Sequence, residues 1–339
     1  MKTALYASAA VIALAAFGTT VAFAQSRDTI QIAGSSTVLP FASIVAEEFG
    51  AAFPEFNTPV VGSGGTGGGL KQFCEGVGDN TIDIANASRK IKDSELEACT
   101  AAGVTDVREI QFGFDGIVFA SAATGPDFAL TPVQVFKAIA AKVAVDGAMV
   151  DNPYTKWSEI DASLPDQAIA LAIPGSNHGT REVFEEKVTS AGCEEAGLPE
   201  MSEEELEAAC TTFRQDVVVE IAGDYTETLA RLSSNTETIG VFGLSFYEQN
   251  TDTLKVATVN GVVPSAESVA AGEYPVSRPL FFYVKGQHIG VVPGIEEYVQ
   301  YFLSEQTSGA GGTLEAAGLI PQPADKTAEV IAAFEAGAQ

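Results

Sequence analysis

Short apolar runs alternate with stretches whose apolar residues recur every three to four positions, which predicts an α/β protein. Ile30-Gln31-Ile32-Ala33 reads as a strand, and Phe41, Ile44, Val45 and Phe49 then share one helical face. Residues 59–61 and 82–85 read as further short strands, with a helix starting at 70–75 between them. Residues 117–120 form a buried run, 131–141 a helix, 168–173 a strand, and 181–188 a helix with Phe184 and Val188 inward. Leu280-Phe281-Phe282-Tyr283-Val284 is strongly β-forming, and 295–303 and 328–336 are terminal helices. The acidic stretch 194–207 reads as a solvated helix face.

The first residues follow a different pattern. Met1-Lys2 gives a positive start, residues 4–21 are mostly apolar, and Ala22-Phe23-Ala24 is a small-x-small cleavage site. This predicts a secretory signal peptide over 1–24, a mature chain beginning near Gln25 and a periplasmic location. The stretch is short for a membrane anchor. The cleavage site has no cysteine nearby, so no lipid anchor is expected.

The remaining chain is long enough for two domains. Its four cysteines, Cys74, Cys99, Cys193 and Cys210, read as two disulfides in an exported protein. Pairing neighbours, Cys74 with Cys99 and Cys193 with Cys210, is preferred among three arrangements. With no CxxC and only His178 and His288, no metal site is expected. The formal net charge of −27 argues against nucleic acid. It does not exclude a small anion, because surface charge is screened over about 10 Å.

Three glycine- and hydroxyl-rich segments each lie between a strand and a helix: Gly34-Ser35-Ser36-Thr37, the run from Gly62 to Gly69, and Gly175-Ser176-Asn177-His178-Gly179-Thr180. Helix N-termini present free N–H groups and a positive dipole end, and glycine lets an anion approach the backbone. One such segment could be only a capped turn; three together can surround an oxyanion without a metal. The second also matches a dinucleotide pattern, Gly62-x-Gly64-x-x-Gly67 with Asp83 downstream. Export argues against a soluble nicotinamide cofactor, and none is expected. A P-loop fails, because Leu70-Lys71 follows Gly69.

Arg89, at the end of a predicted strand, needs a partner. It fits an oxyanion bidentately or a carboxylate at the core edge. Asp115, amid apolar residues, either orders a turn or accepts the proton of hydrogen phosphate while repelling sulfate. In the latter role it is expected beside Arg89, which would keep it ionised. His178 reads as an anion donor or a backbone-bonded loop residue. Arg181 opens a helix against the dipole, which calls for a ligand or an acidic partner. A hydrolase would need a nucleophile with a positioned base, and His178 near Ser36 or Ser176 is the one candidate pair.

In order along the chain, Ala33-Gly34-Ser35-Ser36-Thr37-Val38, Gly67-Gly68-Gly69-Leu70-Lys71-Gln72, Asp83-Ile84-Ala85-Asn86-Ala87-Ser88-Arg89, Asp115-Gly116-Ile117, Gly179-Thr180-Arg181 and Tyr274-Pro275-Val276-Ser277-Arg278-Pro279-Leu280 resemble the periplasmic phosphate-binding proteins of phosphate-uptake ABC transporters. The resemblance implies a type II periplasmic-binding fold: two α/β lobes joined by two crossing strands, closing on phosphate by hinge motion. It implies Ser36, Thr37, Thr66, Gly67, Ser88, Arg89, Gly179 and Thr180 as ligands. The segment with His178 departs from the family pattern, in which many members have serine there, and Pro174 stands where some have arginine. Arg89 is then the main cation, with Arg181 and His178 as substitutes.

The expectation is a monomeric binding protein, not an enzyme, that delivers inorganic phosphate to a membrane permease. Lobe I is expected at 25–118 plus 280–339 and lobe II at 119–279. The linking strands should run near 117–120 and 280–284. A binding protein for sulfate, phosphite, arsenate or molybdate is the first alternative and a secreted phosphatase the second.

Overall fold

The computed structural model describes residues 27–175, 179–222 and 225–337. The expected signal peptide and His178 lie outside them. One twisted ten-stranded sheet runs through both lobes. From edge to edge the main path is Val60–Ser63, Gln31–Gly34, Ile84–Ala87, Ser277–Lys285, Val107–Ala122, Ile239–Gly243, Leu171–Pro174 and Val218–Ile221. The first three strands pair in parallel with helices between them, as do the last three. Ser277–Lys285 and Val107–Ala122 are antiparallel to their neighbours and sit at the centre.

The 16-residue strand Val107–Ala122 is the shared spine. Its first half pairs with Ser277–Lys285 and its second half with Ile239–Gly243. The apolar core divides at the same point. Ile32, Phe49, Ile110, Phe112, Leu280, Phe282 and Phe302 belong to one cluster. Ile117, Phe119, Trp157, Ile173, Phe184, Phe242 and Val276 belong to another. Ile320, near the C-terminus, packs with this second cluster and pairs with Phe114 of the spine.

Two differences from the sequence reading concern the helices that follow the glycine-rich segments. The helix expected from residue 70 already begins inside the glycine run, as Gly65–Phe73. Glycine disfavours helix, but here packing overrides propensity. A side chain at Gly69 would collide with the backbone of Ala33 and Gly34. Gly34 itself has φ +146°, and a side chain there would meet the Asn86 carbonyl. The helix therefore lies directly against the end of the first strand. Further on, Gly179–Phe184 continues into a π-helical turn, Glu185–Ser190, with Phe184 and Val188 buried as expected.

Both neighbouring disulfides are present, Cys74–Cys99 and Cys193–Cys210. The acidic segment forms helices Ala191–Glu195 and Glu203–Thr211, the second with no buried residue.

Candidate functional site

The ends of the first-lobe strands bring two of the glycine-rich segments together. Ser35, directly after Gln31–Gly34, is buried, and its Oγ accepts hydrogen bonds from the Thr37 and Val38 amides at 3.2 and 3.4 Å. Those amides are thus capped internally, and this segment offers the cleft chiefly its Ser36 and Thr37 hydroxyls. Gly65–Phe73 has no side-chain cap at Gly64, so its first-turn amides lack such a partner. Thr66 turns inward. Its Oγ1 accepts from the Ser88 amide and lies 3.1 Å from Ser88 Oγ. If Thr66 donates in that contact, the Ser88 hydroxyl proton remains available to a ligand.

Arg89 does not stand beside Asp115. Its Nη1 and Nη2 donate to the two Glu95 carboxylate oxygens at 2.9 and 2.8 Å. That hydrogen-bonded pairing holds the Glu95 carboxyl below the usual carboxylate range and raises the arginine. The guanidinium still lies against Gly67, where an added side chain would reach Nη2 at ordinary contact distance. Arg181 is also committed elsewhere. It donates to Glu185 at 2.7 Å and to the Pro174 carbonyl at 3.0 Å, pairs with Glu220, and stacks over Phe213. The helix-dipole conflict at Arg181 is thus met by acidic residues of its own lobe rather than by the cleft.

The cation facing Asp115 is Arg278, which the sequence reading left without a role. The two residues are cross-strand partners where Ser277–Lys285 meets the spine. Arg278 is 4% exposed and Asp115 6%. Arg278 Nη2 donates to Thr37 Oγ1 at 2.7 Å, Nη1 donates to Glu186 at 3.1 Å, and Nε lies 3.9 Å from Asp115 Oδ2. Burial pushes the Asp115 carboxyl above its ordinary range; Arg278 offsets this in part and Glu182 adds to it. The expected neighbour Arg89 is thus replaced by Arg278, whose charge offsets the burial of Asp115 only in part. Asp115 Oδ2 and Arg278 Nε are buried and have no hydrogen-bond partner among the described residues.

The second lobe reaches across through Glu182 and Glu186. They lie one helical turn apart, so they share a face, and as like charges they repel. Glu182 Oε2 accepts from Thr37 Oγ1 at 2.8 Å and from Ser36 Oγ at 3.4 Å, and lies 3.4 Å from Arg278 Nη2. Thr180 begins the same helix, beside the Tyr225 phenol. Burial pushes that phenol well above its usual range. Thr37, Asp115, Thr180 and Tyr225 line a cavity of about 250 Å³ between the lobes.

Arg278 had a signal in the sequence: an arginine entering a run as apolar as 280–284 must find a partner. Glu182 and Glu186 had one too, since like charges four residues apart on a helix need a cation opposite. Neither signal names that partner.

The donor set is hydroxyls, helix-start amides and a buried arginine gathered between two α/β lobes. The comparisons agree with this layout. The chain matches the PBP superfamily domain over residues 19–306. It is 31% identical to the protein SphX of Synechococcus elongatus, with 96% of this chain and 88% of that protein covered. It is 29% identical to the phosphate-binding protein PstS of Staphylococcus epidermidis, over 86% of this chain and 78% of that one. The crystal structure of a possible phosphate-binding protein from Planctomyces limnophilus superposes with a TM-score of 0.69 at 26% identity, covering 91% and 98% of the two chains. On its sequence, its two-lobed fold and its cleft, the chain belongs to the PBP superfamily.

Proposed function

We propose that this chain is a periplasmic solute-binding protein that captures inorganic phosphate between its lobes and delivers it to an ABC-type permease. One observation carries the reading: the Ser36 and Thr37 hydroxyls donate to a single carboxylate oxygen of Glu182, and Arg278 Nη2, bonded to Thr37, lies 3.4 Å from that oxygen. That oxygen stands where an oxygen of a tetrahedral anion would be held. Charge-assisted hydrogen bonds of this kind, in a partly closed cleft, favour an oxyanion over a neutral solute. The names of the relatives support phosphate among oxyanions.

In this reading the ligands are Ser36, Thr37, Thr66, Gly67, Ser88, Gly179 and Thr180, with Arg278 supplying positive charge and Arg89, paired to Glu95, standing beside Gly67. Lobe I takes 25–118 plus 280–339 and lobe II 119–279. The change of core cluster between Phe112 and Ile117 and between Val276 and Leu280 supports that division. Lobe closure needs only bending at the two central strands. A signal peptide over 1–24 directs export, and no helix among the described residues is long and apolar enough to cross a membrane. The protein binds and releases phosphate unchanged rather than turning it over.

Calorimetric titration of the stripped protein with phosphate tests this. One saturable site per chain is expected, and a flat trace would overturn the reading.

A further inference from the structure

The cleft does not end at the anion donors. The cavity of about 250 Å³ that begins at Thr37, Asp115 and Thr180 runs on past Phe41 and Phe246 to Gln249 and Ala316. A second hollow of about 300 Å³ shares Ser245, Gln249 and Ala316 with it and ends on Glu248 and Glu315. A bare tetrahedral anion is a few water volumes in size, at about 30 Å³ each, so it fills only the inner end. The space is set by the fold rather than by the gape of the lobes. Ser245 Oγ, just after Ile239–Gly243, donates to the Gly318 and Leu319 carbonyls at 3.4 and 3.3 Å, and Ile320 then pairs with the spine. These contacts tie the two walls of the channel together beside the central strands.

The two ends differ in charge. At the inner end stand the anion donors and the buried Asp115, whose Oδ2 has no hydrogen-bond partner among the described residues. Such an unmet buried acceptor marks a place for a ligand or its water. At the outer end Glu248 accepts from the Ala266 amide and Glu315 from the Gly311 amide, and neither enters an ion pair among the described residues. Burial and the neighbouring Glu315 push the Glu248 carboxyl above its ordinary range. Among the described residues no lysine or arginine lines either hollow. A cation brought between the two carboxylates would relieve their repulsion.

We propose that the cleft takes a second class of ligand, a phosphoryl group bearing a short organic arm that ends in an ammonium. The inference rests on the oxyanion reading of the inner end. The phosphoryl oxygens take the hydroxyl and arginine donors. The arm lies along Phe41, Phe246 and Ala316, and the ammonium reaches Glu248 and Glu315. A phosphate monoester of an amino alcohol and an aminoalkylphosphonate share this chemistry, because both carry the phosphoryl group and the ammonium at opposite ends of a short chain.

The test is calorimetric titration of the stripped protein with phosphate, ethylphosphonate, aminoethylphosphonate and phosphoethanolamine. Each aminated compound should saturate one site that excess phosphate blocks. Aminoethylphosphonate should bind about three- to tenfold more tightly than ethylphosphonate, the scale of a solvent-screened ion pair. The double variant Glu248→Gln with Glu315→Gln should erase that gap and leave phosphate affinity unchanged. Ala316→Phe, which fills the shared neck, should remove binding of the arm-bearing compounds and spare phosphate. Whichever aminated compound binds more tightly identifies ester or phosphonate as the source, and either order supports the inference. Equal affinity for ethylphosphonate and aminoethylphosphonate would overturn it, as would phosphate binding with neither aminated compound bound. Wild type that binds none of these compounds would overturn the oxyanion reading as well.

Discussion

Two buried ionic clusters lie on the same sheet, and they are built differently. At the far end of the first-lobe strands, Asp83 is fully buried and wholly satisfied. Its Oδ2 accepts from the Gln31 amide at 2.6 Å, and its Oδ1 is shared by Arg27 and His288 Nδ1. Arg27 spends its other protons on the Thr29, Asp79 and Thr81 carbonyls. Lys285 alongside donates to the Gly76 carbonyl and the Thr81 hydroxyl and sits over the Phe73 ring. In the cleft, Arg278 and Asp115 are as deeply buried but keep an unpartnered Nε and an unpartnered Oδ2 among the described residues. Leaving buried polar atoms unsatisfied costs about 1–3 kcal/mol each. A closed network is structural, whereas an open one is poised for a ligand or its water.

That contrast can be broken most forcefully at Asp83. Asp83→Asn removes the buried carboxylate that pairs with Arg27 and leaves that guanidinium without its anion. Breaking a buried pair in this way typically costs about 3–5 kcal/mol. Urea denaturation should show a loss of that order while the folded protein keeps its phosphate affinity. A loss below about 1 kcal/mol would mean that the closed network is not what holds this end of the lobe.

Lys285 sharpens the comparison through pH. Burial pushes its ammonium down to about 8, with Asp83 opposing the shift. An unfolded lysine titrates near 10.4, so between these values the unfolded chain binds more protons than the folded one. This group therefore makes folding more favourable as pH rises from about 8 to about 10, by up to ~3 kcal/mol. Denaturation of wild type and Lys285→Met at pH 8, 9 and 10 should show the upward slope in the first and its absence in the second. Equal slopes would place the lysine in a wetter setting than the structure gives it.

The same division explains what was legible in the sequence. Most elements were, because periodicity is local: Phe41, Val45 and Phe49 do face inward, and 280–284 is a central strand. The spine was seen only in its 117–120 portion, since Arg108, Glu109, Gln111, Gly113, Asp115 and Gly116 break up the apolar pattern of the strand Val107–Ala122 before that point. The start of Gly65–Phe73 was missed because its glycines speak against helix and are there for close packing on Gly34. In the site, the Ser36, Thr37, Thr66 and Ser88 hydroxyls stand out as short motifs. The charge pairing does not, because Arg278 meets Thr37 across 241 positions and Glu186 across 92. Arg89 and Arg181 drew attention as arginines in suggestive places, yet both are satisfied by nearby acids.

The central claim is that an oxyanion is held in the cleft by the first-lobe hydroxyls and Arg278. Phosphate titration of Arg278→Ala beside wild type tests it most directly. Loss of a charge-assisted donor should weaken binding about 10–100-fold, since such bonds contribute about 1.5–3 kcal/mol and each 1.4 kcal/mol is tenfold. Phosphate binding by Arg278→Ala with wild-type affinity would contradict the account.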